Sequence, residues 1–380
     1  MFHALNEAFL DEIRNIQNST YKLFLLTLFP IMSFALVIAI FYEGVAHKLP
    51  VVVVDKDKSQ LSRQLLKNIN SSPSISIDYR VDSVKEALSL VQSTQAYALI
   101  VIPKHFQKDT ITQVQPKVTA MLNTQYILIG KILTSALTQV VGYSAGEVEF
   151  VKDLATSNIP EKSKAKVSPI GLQITSYFNT YQNYFLFLVS ALLPAIWQIF
   201  IVIATLVSFG SMFKANEEKE FFKDKYIFSR IVGKLLPYTV VYTSLGAGYL
   251  FYIYGTLGWS FEGSFAVTIF AMLLTVVAYQ GIALLFFVTG FDYARSLSLG
   301  AVYTAPAFAF LGVTFPIYNM NDFALFWRDM LPISHFMELQ ISQANYGASP
   351  FLELDRLFYI SLFFLAYIPV YLMFKRRLAL

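Results

Sequence analysis

Long apolar segments without charges are the feature that most limits how this chain can fold. A helix that crosses a bilayer needs roughly 20 mostly apolar residues. Six such segments occur, at about residues 23–42, 184–209, 235–254, 265–289, 297–317 and 357–374. Charged residues make up only 14% of the chain, whereas a soluble domain carries about 25%. We therefore expect a mainly α-helical membrane protein, with six transmembrane helices (1+5) and an inserted polar domain after the first.

Lys and Arg residues near the predicted spans indicate the orientation, because cytoplasmic flanks hold an excess of them. One set of flanks is rich in these residues: Arg14, Lys22, Lys214, Lys219, Lys223, Lys225, Arg230, Lys234, Arg295, Lys375, Arg376 and Arg377. The opposite loop at 255–264 has none, and the loop at 318–356 has only Arg328 and Arg356. The pattern predicts cytoplasmic termini, a first span at 21–43 and an external insert at 44–180.

The insert has the pattern of a folded α/β domain. Short apolar strands are expected at 51–54, 75–79 and 97–102, with helices at 59–69 and 83–91 between them. A helical pattern from 125 to about 154 predicts a stalk that leads back to the membrane. The insert is long enough to hold its own core. We expect it to bind substrate, a periplasmic adaptor or a second copy of itself. The alternative is a domain that only dimerises or shields the exit.

The N-terminal residues 1–20 predict an amphipathic helix along the cytoplasmic interface. Its apolar residues recur at three- and four-residue spacing: Phe2, Leu5, Phe9, Ile13 and Ile16. Polar residues, among them Glu12 and Arg14, lie between them. Two interpretations stay open, a plain anchor helix and a functional elbow that contacts a partner.

The sequence lacks the motifs of nucleotide-binding, ion-coupling and metal-binding sites. The phosphate-binding loop G-x-x-x-x-G-K-[ST] does not occur, since Gly130-Lys131 and Gly233-Lys234 are followed by Ile or Leu. The predicted spans lack the carboxylate or His that ion-coupled carriers place inside the membrane. With no Cys, four scattered His and no H-E-x-x-H, a metal site is not expected. We expect no catalytic residue and no cofactor in this chain, so its work must come from another subunit.

Residues 211–232, between the second and third predicted spans, form a candidate coupling segment. Both signs of charge accompany four phenylalanines there: Phe213, Phe221, Phe222 and Phe228. Charged residues beside exposed aromatics suit a helix that docks into a groove on a cytosolic partner. The expected contact residues are Glu217, Glu218, Lys219, Glu220, Phe221 and Phe222. The alternative is an interfacial helix whose phenylalanines enter lipid while its lysines meet anionic headgroups.

Three stretches carry a resemblance to a known family. They are residues 178–184 (FNTYQNY), the segment from Glu217 to Tyr238, and residues 312–335 with Gly312, Pro316 and Pro332. In this order, on a one-plus-five layout, they resemble the membrane subunit (permease) of ABC-2 type transporters with a large extracytoplasmic domain. Phe221-Phe222 replaces the Gly-Thr that usually follows the acidic residues, and Thr180 stands where a Pro is common.

The resemblance implies an export permease in a bacterial inner membrane. Two permease copies or homologues would pair with two cytosolic ATP-binding subunits, which hold ATP and Mg. Closure of those subunits would act through the coupling segment and the N-terminal elbow. Drugs, lipids and polysaccharides are among the substrates of the family, and a periplasmic adaptor often takes part.

The fifth predicted span carries its own helix breakers. Pro306, Gly312 and Pro316 interrupt the helix and free backbone groups, which in lipid must be satisfied by protein or water. The sequence predicts a polar cavity or, as the resemblance implies, an external re-entrant segment at 318–350 that includes Pro332. The alternative is a kink that serves only packing.

Two other functions stay open. A receptor or scaffold would use the external domain to bind a partner without transport. An ion-driven carrier is disfavoured because the predicted spans lack ionisable groups.

Overall fold

A computed structural model describes residues 1–44, 46–112, 114–157, 183–222 and 226–377. The chain divides into two compact units. One combines Met1–Gly44 with Ser176–Leu380, and the other is Val45–Thr175. The predicted family motif at 178–182 lies outside the described residues.

The first unit begins with three helices, α1 (Phe2–Gln17), α2 (Thr20–Leu26) and α3 (Leu28–Phe41). The side chain of Ser19 caps α2 by accepting a hydrogen bond from the Lys22 backbone N–H. Together α2 and α3 form an apolar stretch from Thr20 to Phe41 that is long enough to cross a membrane. This stretch coincides with the first predicted span.

The second unit is an α/β layer in which strands and helices follow the expected order. Its elements are β1 (Leu49–Asp55), α4 (Gln60–Asn70), β2 (Ile75–Arg80), α5 (Val84–Gln92), β3 (Ala98–Ile102), α6 (Phe106–Ile111), β4 (Thr119–Leu122) and α7 (Ile127–Ser157). The sheet order is β2-β1-β3-β4, parallel except for the antiparallel β4.

Both faces of β1 are buried, as its unbroken valine run from Val51 to Val54 predicts for a central parallel strand. One face packs on α4 and on Leu133 and Leu137 of α7. The other face packs on Ala87 of α5. Helix α7 therefore contributes to the core of this unit along its N-terminal half, and is more than the stalk that the sequence predicts.

The first unit continues with helices α8 (Tyr184–Lys214), α9 (Glu218–Phe221), α10 (Ile227–Leu250), α11 (Phe265–Val288), α12 (Tyr293–Thr304), α13 (Ala307–Phe310), α14 (Asp322–Asp329), α15 (Pro332–Tyr346), α16 (Leu354–Leu362) and α17 (Tyr367–Arg377). A π-helical turn, Phe251–Thr256, extends α10, and 3-10 turns lie at Ile317–Asn319, Pro350–Glu353 and Phe363–Ala366.

The core of the first unit is built on α8, whose Trp197 is fully buried. Its indole Nε1–H donates a 2.8 Å hydrogen bond to the backbone oxygen of Tyr242 on α10. Buried glutamines add further links between helices, which satisfy polar groups that hydrocarbon cannot. Gln340 of α15 accepts from the Tyr249 hydroxyl at 3.0 Å and donates to the Ser190 oxygen at 3.0 Å.

Among the described residues, five helices are long and apolar enough to cross a membrane, by length and composition alone. Four of them coincide with the first, second, fourth and sixth predicted spans: Thr20–Phe41, Tyr184–Lys214, Phe265–Val288 and Pro350–Arg377. The third predicted span corresponds to α10 and its π-helical turn, where Tyr, Thr, Ser and Gly dilute the apolar residues. The remaining candidate, Ile127–Phe150, belongs to the second unit.

The fifth predicted span, 297–317, is wrong as a single helix. Helix α12 ends at Thr304, two residues before Pro306, and the four-residue α13 follows. Gly312 then has a φ of +80°, a backbone conformation that glycine adopts without steric cost. The break lies where these residues predict it.

The packing of α7 can be tested with two substitutions on that helix. Leu133 is fully buried under the sheet, whereas Ile127 is 71% exposed. We expect Leu133→Ala to lower the free energy of unfolding of the second unit by about 2–5 kcal/mol, because it leaves a cavity. Ile127→Ala should change it by less than about 0.5 kcal/mol. Limited proteolysis of the purified chain, read within residues 46–157, distinguishes the two variants, and equal protection would contradict the assigned packing.

Candidate functional site

Helix α1 lies against the start of α10 through an unusually close contact. Its buried residues, Ala4, Ala8 and Glu12, follow one another at four-residue spacing. They face Gly233 of α10, where an added Cβ would lie 2.3 Å from the Leu5 backbone oxygen. Small residues on both helices therefore let the two backbones approach, as they do in helix pairs within membranes.

The Glu12 carboxylate is the centre of this contact and is fully buried. It forms an ion pair with Lys234 of α10 and accepts hydrogen bonds from the hydroxyls of Tyr238 at 2.6 Å and Ser208 at 2.9 Å. The ammonium of Lys22 lies 3.5 Å from the same carboxylate. Four elements, α1, α2, α8 and α10, thus meet at one charged side chain.

The surroundings of Glu12 keep it ionised. Burial alone raises the pKa of its carboxyl, but the charges of Lys234 and Lys22 and the hydrogen bonds from Lys234 and Tyr238 outweigh burial. The pKa of Glu12 therefore lies below its ordinary value of 4.5. A negative Glu12 compensates the buried ammonium of Lys234.

A second ion pair joins the same two helices. Arg230 of α10, which is 1% exposed, donates from Nη2 to the Glu7 carboxylate at 3.0 Å. Arg14, by contrast, lies on the surface and is 3.5 Å from Asp11 on its own helix. Of the two polar residues singled out on this helix, Glu12 is therefore the one placed in the contact.

The acidic part of the coupling segment is surface-exposed. Glu217, Lys219 and Glu220 are exposed around the short helix α9. Glu218 is half-buried, and its Oε2 has no hydrogen-bond partner among the described residues. Three charges of this segment are therefore free to contact another protein.

The phenylalanines of the segment do not lie where the sequence suggests. The prediction that they are exposed is wrong for Phe222, which is 1% exposed and packs on Phe374 of α17 at 5.1 Å between ring centroids. Phe213 and Phe221 are half-buried, and Phe228 is 49% exposed. Burial of the Phe222 ring against Phe374 removes apolar surface from water, so Phe222 holds the segment against its own chain.

Phe221 connects the coupling segment to the buried ion pairs. Its ring lies 5.1 Å from Lys234 Nζ and 5.6 Å from Arg230 Cζ, within the range of cation–π attraction. Lys234 thus contacts both Phe221 and Glu12. Arg230 likewise contacts both Phe221 and Glu7, so two side chains of α10 lie between the coupling segment and helix α1.

The helix break forms a separate cluster held by charges. Pro306 precedes α13, Pro316 precedes a 3-10 turn, and Pro332 is the first residue of α15. Arg328 of α14 forms an ion pair with Glu338 of α15. Arg356 of α16 lies 3.2 Å from Glu338 and 2.7 Å from Glu353. These pairs fix the segment that follows the break, and the structure does not bring it together with Glu12.

The sequence pattern missed most partners of Glu12. The apolar residues of the N-terminal helix predict its lipid-facing side, yet the contact face consists of alanines and a carboxylate. The i, i+4 spacing of Ala4 and Ala8 and the glycine beside Lys234 are the signal that would have found it.

Among the described residues, no group of three His, Cys, Asp or Glu could hold a metal ion.

The close helix contact predicts opposite effects for two glycine substitutions in α10. Ala is the better helix former by about 1 kcal/mol, and no atom lies within 4 Å of a Cβ added at Gly248. Gly248→Ala should therefore keep or raise the melting temperature in detergent. Gly233→Ala should lower it, because the new methyl group collides with the Leu5 backbone. Equal behaviour of the two variants would contradict the contact.

The buried carboxylate predicts a pH-dependent stability. Because the folded pKa of Glu12 is lowered, its stabilisation is present above about pH 4.5 and is lost as pH falls through the folded value. Glu12→Gln should destabilise the chain by about 3–5 kcal/mol at neutral pH, since it leaves the charge of Lys234 unpaired. We expect the melting temperature of the wild type to decline below pH 4.5, and the variant should lose part of that decline. Asp11→Asn, at an exposed pair, is the control and should cost less than about 1 kcal/mol.

Comparison with known proteins bears on the identity of the chain. A search of curated proteins found no match. The family model described as "ABC-2 family transporter protein" matches residues 22–374, nearly the whole length. The match begins at Lys22, one of the partners of Glu12, and ends at Phe374, the partner of Phe222. The chain therefore belongs to the ABC-2 transporter family and is a membrane protein of that family.

Proposed function

We propose that this chain is the permease subunit of an ATP-driven exporter. The observation that supports this best is the position of Lys234 between Phe221 and Glu12. Through it, the coupling segment and the N-terminal helix contact the same side chain. A force applied to the coupling segment moves the elbow and the ends of α8 and α10 together.

The partner that applies the force is a cytosolic ATP-binding subunit, which holds ATP and Mg. The chain lacks a phosphate-binding loop of its own. Glu217, Lys219 and Glu220 contact that subunit, because they are exposed charges at and around the short helix α9. Glu218, half-buried, supports them, and Phe221 and Phe222 transmit the contact inward.

The arrangement in the membrane is part of the same proposal. Six crossings place both termini in the cytoplasm of a bacterial cell and the α/β unit outside its inner membrane. The excess of Lys and Arg around the coupling segment supports this orientation. A second permease copy or homologue completes the transporter, and the external unit is the surface for a periplasmic adaptor.

The break around Gly312 is proposed to form the external re-entrant segment. Residues 318–350 dip into the membrane from the outside and return to the same side, held by Arg328, Glu338 and Arg356. Paired charges are compatible with this site, because an unpaired charge near hydrocarbon costs several kcal/mol.

A receptor or scaffold is the second candidate function. The compact α/β unit supports it, because such a unit folds and binds without any transport step. A chain that binds a ligand but never associates with an ATP-binding subunit would favour this candidate.

The exposed carboxylates provide the test. We expect the double variant Glu217→Ala/Glu220→Ala to lose most co-purification with the ATP-binding subunit, and with it the ATPase activity of the complex. The double variant Asp78→Ala/Glu86→Ala, which removes two exposed carboxylates from the α/β unit, should assemble as the wild type does. Both variants should keep the wild-type melting temperature, because all four side chains are exposed.

Unchanged assembly and ATPase activity in Glu217→Ala/Glu220→Ala would overturn the assigned contact. A wild-type chain that transports in vesicles without any ATP-binding subunit would overturn the proposed function itself.

A further inference from the structure

The α/β unit contains a large cleft that the coupling mechanism does not use. Its volume is about 1420 Å³, and its walls are α4, α6, the segment 114–120 and the C-terminal half of α7. We name it the α4–α7 cleft. It is larger than the roughly 300–1,000 Å³ of most pockets for drug-sized ligands, so it suits a long ligand.

The lining of the α4–α7 cleft combines an apolar floor with polar side chains, among them Lys117, Glu147 and Glu149. Leu65 and Phe106 form a buried floor, and Val141 adds to one wall. Ile111 and Val114 line it while they are 62% and 58% exposed. A group of exposed apolar side chains around a groove often marks a binding site, whereas single exposed apolar side chains do not.

Helix α7 gives an independent indication of what fills the cleft. Its residues Ile127–Phe150 are apolar enough to cross a membrane, yet only 22% of their most apolar stretch is buried. The N-terminal half of this helix packs on the sheet and on α4, which carries Arg63 and Lys67. Asn68 of α4 also donates a 3.0 Å hydrogen bond to Ser144 of α7.

Part of the unburied apolar surface of α7 lines the cleft through Val141, Ala145 and Val148. A helix of membrane-like composition beside a long apolar cavity matches an acyl chain better than a polar solute. The amide of Asn68 is already bonded to Ser144, so the rim groups suited to a polar headgroup are the amide N–H groups of Gln64 and Gln107.

We propose that the α4–α7 cleft binds a single-chain amphiphile, with the acyl chain between α6 and α7 and the headgroup at the amide rim. A free fatty acid and a lysophospholipid share this chemistry. This binding requires neither nucleotide nor an ATP-binding subunit, so it can be tested independently of the proposed export function.

Photolabelling of the purified full chain in lipid nanodiscs tests the site. The probe is a palmitate analogue with a diazirine on its acyl chain, and labelled peptides are located by mass spectrometry. We expect labelling within 106–120 and 141–149, in addition to the spans. Labelling of Tyr184–Lys214 by probe dissolved in the bilayer is the internal reference in each sample.

Two substitutions on exposed positions of α7 supply the comparison. Ala145→Phe fills the cleft and should reduce its labelling several-fold relative to the reference. Thr138→Phe, which is exposed but does not line the cleft, should leave labelling unchanged. Val114→Asn, on the opposite wall, is a second variant in case Ala145→Phe alters folding. Excess unlabelled palmitate or lysophosphatidylcholine should compete, and the better competitor identifies the headgroup.

Three results would overturn the proposal. They are labelling confined to the spans, labelling that survives both cleft variants, and labelling that neither unlabelled amphiphile reduces. Efficient cross-linking between two copies through a cysteine introduced at Ala145 would also overturn it, in favour of a second chain as the occupant. The native chain has no Cys, so such a cross-link arises only at the introduced residue.

Discussion

The buried ion pair between Glu12 and Lys234 is the interaction on which the arrangement of the N-terminal helix depends. Two opposite charges, both withdrawn from water, stabilise a fold only when each has a partner and good hydrogen bonds. Here the carboxylate has four partners on three other helices. Because these partners come from three helices at once, they hold α1 in place against α8 and α10. These contacts make the elbow part of the helical unit, beyond a membrane anchor.

The same pair lies in contact with the coupling segment. Phe221 reaches the Lys234 ammonium, and Phe222 reaches Phe374 of the last helix. Rings that pack inside the chain leave the charges Glu217, Lys219 and Glu220 as the outward face. The departure from the usual Gly-Thr thus has a structural reason, since two aromatic rings bind the segment to both ends of the helical unit.

Much of the fold follows from the sequence, because apolar length and β-branched runs report directly on burial. The spans near the ends of the chain, the valine strand β1 and the break at Pro306 and Gly312 are all of this kind. What the sequence could not predict depends on contacts between distant residues. Ala4 and Ala8 carry no hydrophobic signal, and Phe222 looks like any exposed docking residue until Phe374, more than a hundred residues away, is placed beside it.

The charges at the break illustrate the same limit. Arg328 and Arg356 are the cations that weaken the orientation argument, because they lie in a loop predicted to be external. In the structure both pair with carboxylates, Arg328 with Glu338 and Arg356 with Glu338 and Glu353. Their presence reflects the local ion pairs that fix the segment, and a count of charges cannot separate this role from topology.

The central claim is that ATP hydrolysed by another subunit moves this chain through the coupling segment. The most direct measurement is the distance between spin labels on cysteines introduced at Ala215 and at Phe323, both exposed, in an otherwise cysteine-free chain. The account predicts that the distance distribution shifts with ATP when the ATP-binding subunit is bound, and stays fixed with ATP alone. An unchanged distribution in the ATP-bound complex, or a shift without the subunit, would contradict it.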